Sequence, residues 1–436
     1  MHRRAKERLR RQMKKKFTRR GVLLGAGAVG AGALLAGGGF AARAGLDELN
    51  AYSGQSYPFY GQHQPGIVTP AQDRLHFAAF DLVTERASDL QALLRIWSDA
   101  AATMMAGRPI GAGAAPVLYG DDTAIIPPSS DTGEALGLPA ARLTITFGFG
   151  PALFTRDGQD RYGLATRRPE ALINLPPFPS DALDPDYCGG DLCVQVCADD
   201  PQVAFHAVRN LARLARGLAV MRWTQLGFGR TSSTSRSQET PRNLMGFKDG
   251  TNNLKAEETA LMDTHVWVGA GDQPSWMRGG TYLVARRIRM ALEVWDHNLL
   301  EEQEWVIGRE KVSGAPLGKK WEFDLVDLAA RDEKGNPLVP ARSHVRLAIG
   351  EGKIKILRRG YSFTDGMDAR TGQLDAGLFF IAFQRDPRSQ FVPLQMSLAQ
   401  HDALNEYISH TGSAIFACPP GAREGGYVGE ELFAGL

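Results

Sequence analysis

Cysteine is scarce. The chain of 436 residues holds four, Cys188, Cys193, Cys197 and Cys418, too few to staple a protein of this length, so the core must hold itself together. No CxxC pair occurs and therefore no CxxCH, which excludes a zinc ribbon and a covalently attached c-type haem. Cys193 and Cys197 lie in LCVQVC, a strand by its β-branched content; on one face of it they stand about 13 Å apart, beyond disulfide reach. Charged residues make up only 22% and aromatic residues 8%, beside 43% hydrophobic. That balance excludes a disordered, collagenous or polytopic membrane protein, and the length predicts two or three cores.

An excess of one charge is also missing, since the formal net charge is +2, but the balance is uneven along the chain. Residues 1 to 44 carry 12 Lys/Arg and one Glu, leaving 38 basic against 47 acidic residues from 45 onward. Residues 3 to 20 end in Thr18, Arg19 and Arg20; the next 22 residues, 21 to 42, carry no charge and include 8 Gly and 7 Ala. A basic n-region, a dilute apolar h-region and the AxA-type site Ala42, Arg43, Ala44 predict an export signal cleaved before Gly45. An uncleaved membrane anchor is the alternative, because the stretch is long enough to span a bilayer. The paired arginines resemble a twin-arginine signal, which exports proteins already folded, to the periplasm, cell envelope or medium. With the arm read as an address, the mature body is acidic and no nucleic-acid partner is expected.

Beyond the arm, strand and helix signals alternate. A strand at 75 to 81 precedes Leu90, Leu93, Leu94, Trp97 and Ala101 at helical spacing; strands at 143 to 149 and 192 to 197 precede a helix marked by Ala204, Val208, Leu211, Ala215 and Leu218. The same grammar returns: strand at 282 to 288, helix over 290 to 300, strands at 354 to 363 and 378 to 383, helix within 387 to 408. LCVQVCADDPQVAF at 192 to 205 aligns without a gap on LFFIAFQRDPRSQF at 378 to 391, sharing Leu, Asp-Pro and Phe. Strand, helix, two strands, helix, strand is the split βαβ pattern. The expectation is an α+β fold of two ferredoxin-like domains with antiparallel sheets, 45 to 230 and 231 to 436. A polar segment at 228 to 242 reads as a linker or an ordered loop near a site, and 309 to 342 as a long functional insertion.

Chemistry gathers after the polar segment. Gly246 to Thr251 read GFKDGT, of the form GxxDG; on its own Asp-Gly is a turn signal. Together with LCVQVCADD from Leu192, SHVRLA around His344 and LRRGYSF from Leu357 to Phe363, it resembles the dye-decolourising (DyP-type) haem peroxidases. Within them it is similar to the EfeB-type deferrochelatase/peroxidase branch, whose members carry twin-arginine signals. The resemblance covers about residues 70 to 430. It implies one non-covalent haem b per chain in the C-terminal half, with His344 as proximal ligand and sole protein donor to the metal. Asp249 and Arg358 match the distal pair that moves a proton during peroxide cleavage and holds the developing charge. Gly250, Thr251 and Asn252, with Arg358, match residues that touch the porphyrin.

The implied reaction reduces hydrogen peroxide and oxidises phenolic or dye donors one electron at a time; the branch also releases iron from haem with the porphyrin intact. Implied partners are the Tat export machinery, an iron-uptake permease and a second copy of the chain in a homodimer. Two readings from other classes stand beside it: a non-catalytic haem or iron-uptake binding protein, against which the pair Asp249 and Arg358 argues, and a haem-free ferredoxin-like module. The remaining histidines look unsuited to ligand duty: His206 falls off the apolar face of its helix, His76 sits in a strand, and His63, His265, His297, His401 and His410 have polar neighbours that suggest the surface. One departure from the family pattern is plain. Relatives carry Asn-Pro-Arg shortly after the proximal histidine, its arginine meeting a haem propionate; here the chain reads AIGEGKIK from Ala348 to Lys355. Arg346, Lys353 and Lys355 are the nearby cations.

Overall fold

A computed structural model describes residues 55–111, 131–179, 181–369 and 371–435. The export signal expected at 1 to 44 lies outside the described residues. The first half contains β1 (Arg74–Leu82), α1 (Ala87–Met105), β2 (Thr144–Phe149), β3 (Leu192–Ala198), α2 (Pro201–Leu214) and β4 (Ala219–Arg230). Its counterpart contains β5 (Thr281–Met290), α3 (Leu300–Ile307), α4 (His344–Ile349), β6 (Leu357–Arg358), β7 (Tyr361–Met367), β8 (Leu374–Gln384), α5 (Phe391–His401) and β9 (Ile408–Cys418). Among the described residues no helix is long and apolar enough to cross a membrane.

The strand orders establish the duplication. The first sheet runs β4-β1-β3-β2 and the second β9-β5-β8-β7, so in each the last, first, third and second strands of the unit lie side by side. Every pairing is antiparallel, as the split βαβ pattern requires. The two sheets are also joined at their edges, β2 to β9 through Phe149 and Ala417, and β4 to β7 through Phe228 and Ser362. With β5 paired to β8, the hydrogen-bonded ring closes and leaves few free edges.

Closure explains the sequence texture. Strands β1 and β3 are buried on both faces, which is why LHFAAF and LCVQVC read as nearly continuous apolar runs. One face fills the space between the sheets with Phe77, Trp223, Phe379 and Phe416, the Phe77 and Trp223 rings stacking at 5.2 Å. Opposite faces pack on α1 and α2, where Trp97 stacks on Phe147. Cys193, Cys197 and Cys418 are free thiols of the inner layer. A third, smaller core of Met245, Phe247, Trp295, Val306, Leu404 and Tyr407 lies beside the segments that carry the motifs.

Several expectations need correction. The single helix over 290 to 300 is two, a turn at Leu292–Trp295 and α3. The strand expected over 354 to 363 is broken at Arg359 and Gly360 into β6 and β7. At the first Asp-Pro, Asp200 caps α2 by accepting from the Gln202 and Val203 amides; at the second, Asp386 accepts from the Arg388 amide and α5 begins only at Phe391. The polar segment is no exposed linker. Thr231, Ser232, Ser233, Thr234 and Ser235 are all buried, making it the ordered loop of the two readings. His206 and His410, expected at the surface, are buried: His206 lies between Asp131 and Glu134, and burial pushes His410 down to about 3.

Candidate active site

Three segments far apart in sequence supply the site. The first is the loop after β4. Gly246 to Gly250 turn back on themselves, the Asp249 amide donating to Pro241 O at 2.9 Å. Gly250 has φ of +88°, and a Cβ there would meet Ser232 Cα at 3.0 Å, so only glycine lets the distal loop lie against the buried serine loop. Asp249 Oδ1 accepts from Arg358 Nη1 at 2.7 Å, and its Oδ2 accepts from Asn243 Nδ2 at 3.3 Å. The Arg358 side chain keeps 27% of its surface accessible and that of Asp249 keeps 13%, so the pair sits at the wall of an opening.

Arg358 is fixed by its backbone. Asn253 Oδ1 accepts from the Arg358 amide at 2.8 Å while Asn253 Nδ2 donates to the Arg358 carbonyl at 2.8 Å and to Ser233 O at 3.0 Å. That double bond between one amide side chain and one residue presents the guanidinium to Asp249. Arg359, where the strand breaks, turns to other partners and not to solvent: it is fully buried and donates to Thr69 O and the Gln72 side chain. Asn252 is exposed, whereas its neighbour Asn253 is buried and holds the site together. Thr251 Oγ1 donates to Glu322 at 3.0 Å, and Lys248 pairs with the same carboxylate, which ties the 309 to 342 insertion to the distal loop.

His344 opens α4, and its Nδ1 lies 2.6 Å from Asp402 Oδ2. A carboxylate only accepts, so Nδ1 carries the proton and the lone pair of the neutral ring falls on Nε2. Nε2 has no protein partner among the described residues. Asp402 is held in turn by accepting from the Leu404 amide at 2.9 Å. Burial disfavours the charged ring and is the largest influence on it, yet the Asp402 carboxylate, by field and by hydrogen bond, and Asp249 outweigh it. Arg358 opposes them, and the net effect holds the His344 pKa above its ordinary value. The charges of Asp249 and Arg358 reach the ring, so the three predicted residues lie in one neighbourhood, where 34% of the His344 side chain stays accessible.

These residues fit a haem. Among the described residues no cluster of three or more His, Cys, Asp or Glu can hold a bare metal ion, so an open imidazole nitrogen suits a metal that brings its other ligands with it. A carboxylate on the far nitrogen is the usual orienting partner of such a histidine. Asp402 and Glu322 escape sequence reading because their partners lie 58 and 71 positions away; Asn253 directly follows the predicted Asn252, but its partner Arg358 lies 105 positions away.

The chain is similar to known proteins over most of its length. Residues 64–229 match the family model for the N-terminal part of Dyp-type peroxidases, and 240–423 that for the C-terminal part. The dye-decolorizing peroxidase of Thermobifida fusca is 43% identical over 388 residues, covering 85% of this chain and 84% of that protein. The deferrochelatase of Escherichia coli K12 is 38% identical over 386 residues, 87% of each chain. Ferric DtpA from Streptomyces lividans superimposes with a TM-score of 0.79 at 42% identity, covering 89% of this chain and 99% of that one.

Proposed function

We propose, from the premise that this chain belongs to the Dyp-type peroxidase family, the residue roles by which it works as a haem-dependent peroxidase. The cofactor is non-covalent haem. His344 is its protein ligand through Nε2, oriented by Asp402. When bound, haem supplies an iron that takes two oxidising equivalents from peroxide and passes them singly to donors.

The chain's own residues manage the proton and the charge. Asp249 takes a proton from one peroxide oxygen and returns it to the other, so that the departing oxygen leaves as water. Arg358 remains cationic at any working pH and stabilises the negative charge that builds on that oxygen. Asn253 keeps Arg358 in place, and the Asn243 amide and the Arg358 guanidinium each hold one oxygen of Asp249. Gly250 and Thr251 line the opening, with the exposed Asn252 at its rim. The observation that carries this reading is the Asp249–Arg358 pair close enough for its charges to act on His344, whose Nδ1 is held by Asp402 and whose Nε2 is left open. A bare binding protein needs neither the acid nor the guanidinium.

Similarity to deferrochelatases supports iron release from haem as a second activity of the same site. The sequence supports twin-arginine export to the periplasm, envelope or medium, and the resemblance supports a homodimer and an iron-uptake permease as partner. The test is an absorption spectrum and a stopped-flow reaction with peroxide. His344→Ala loses the haem Soret band, whereas Asp249→Asn keeps the band and reacts with peroxide about 100- to 10,000-fold more slowly. An unchanged band in His344→Ala, or full reactivity in Asp249→Asn, overturns the assignment.

A further inference from the structure

The chain lacks the Asn-Pro-Arg whose arginine meets a haem propionate, and the structure commits two of the three nearby cations, Arg346 and Lys353, to other partners. Arg346 Nη1 donates to Leu328 O and Val339 O, both at 3.0 Å, which ties it to the insertion. Lys353 is exposed and paired with Glu351 at 2.7 Å. Lys355 sits beside His265, whose ring feels its charge.

A different cation stands beside the distal loop. Arg309 follows Gly308, the left-handed residue that ends α3, and it is only 8% exposed. Its Nη1 donates to Gly314 O at 2.7 Å and to Glu322 O at 2.9 Å. Nε and Nη2, which carry three of the five guanidinium N–H donors, have no partner among the described residues. They are not among the polar atoms sealed from solvent either, so they face reachable space. Glu322 joins it to the distal loop, its carbonyl accepting from Arg309 while its carboxylate is already taken by Lys248 and Thr251, so Arg309 stands beside the loop that carries Asp249. Most of the fork is therefore free to take an acceptor that enters that space. Planar, two-pronged donation is the geometry that a carboxylate matches.

We propose that Arg309 receives a propionate carboxylate of the haem ligated by His344, replacing the arginine that the Asn-Pro-Arg triplet supplies in relatives. The proposal rests on the haem reading above. It makes Arg309 a positioning residue, which orients the macrocycle between His344 and the distal pair.

The test uses the holoprotein loaded with haem or with haem dimethyl ester, whose propionates carry no charge, and follows release of each to excess apomyoglobin. The wild type releases the ester about 10- to 100-fold faster than haem, as expected for loss of a charge-assisted hydrogen bond. Arg309→Gln retains a donor for the Gly314 carbonyl; it releases haem nearly as fast as the ester and changes ester release less than about twofold. Arg309→Lys, which keeps the charge, recovers most of the discrimination. The proposal is overturned if Arg309→Gln speeds both compounds equally, the mark of a disturbed loop, or if it leaves haem release unchanged. Failure of the haem reading looks different: the wild type takes up neither compound with a Soret band that depends on His344.

Discussion

Replacing Asp402 by Asn isolates the charge behind the proximal histidine. Asn is isosteric and its Oδ1 still accepts from the Leu404 amide, but its NH2 then stands where Oδ2 stood opposite His344 Nδ1, so the perturbation removes one negative charge and, with it, the acceptor at 2.6 Å. In the wild-type apoprotein the Asp402 and Asp249 carboxylates overcome burial and raise the His344 pKa. Without the Asp402 charge, burial and Arg358 face Asp249 alone, and the folded pKa falls below the unfolded value near 6.5. Loss of a neighbouring opposite charge disfavours the charged imidazole, so the His344 midpoint moves down from its wild-type position. The sign of the linkage then reverses. In the wild type the folded state binds more protons, so the His344 contribution is full below pH ~6.5 and is lost as pH rises through the raised pKa; in Asp402→Asn it is full above pH ~6.5 and is lost as pH falls. Carbon-13 NMR of labelled histidine in the apoprotein reads the two midpoints, and urea denaturation between about pH 5 and 8 reads the slope difference. An unchanged His344 midpoint in Asp402→Asn refutes the argument, and with it the role of Asp402 as the orienting charge.

Two further substitutions probe the frame around the site. Asn253→Ala strands the Arg358 amide and carbonyl, while Ser233 O keeps the Lys255 ammonium; it should cost about 2–4 kcal/mol by thermal or urea denaturation and slow the peroxide reaction while the haem band persists, and an effect below ~1 kcal/mol contradicts the bridging role. Gly148→Ala places a Cβ 2.8 Å from both Cys193 Sγ and Phe416 Cβ in the inner layer, an overpacking expected to cost about 1–3 kcal/mol; Cys193→Ala in the same chain should recover part of it, and simple additivity of the two substitutions would show that they do not share the space.

Much of the fold is legible because both halves bury the same kinds of strand. Residues such as Phe77, Phe80, Val194 and Val196 face a core on either side, and that double burial writes apolar runs that survive into the primary sequence. Strands β4 and β9 close each sheet; β4 carries no such run, and in β9 it is confined to Ala414 to Cys418. In β4, burial alternates with exposed Val220, Met221 and Leu226, while β9 begins ISHTGS, a stretch that reads as loop. The joining of the sheets is invisible for a different reason. Pairings such as Phe149 with Ala417 are made by backbone at strand edges, and backbone leaves no residue-type signal.

Histidines show what separates a legible site from an illegible one. His410 has polar neighbours in sequence, yet the fold seals it, one nitrogen 3.5 Å from Gln395 and the other without a partner, and burial pushes it down to about 3. Both nitrogens of His206 face acids, Asp131 and Glu134, so neither is free for a ligand. Nδ1 of His63 lies against Gly279 O, and its ring lies flat on Trp267 at 3.7 Å. His344 differs from these in the division of its two nitrogens: a buried carboxylate holds Nδ1, and Nε2 is left open where the charges of Asp249 and Arg358 reach the ring. Asp402 creates that division from 58 residues away. The motif around His344 therefore identifies the ligand by resemblance, but what makes the imidazole able to bind is a tertiary pairing that only the fold supplies.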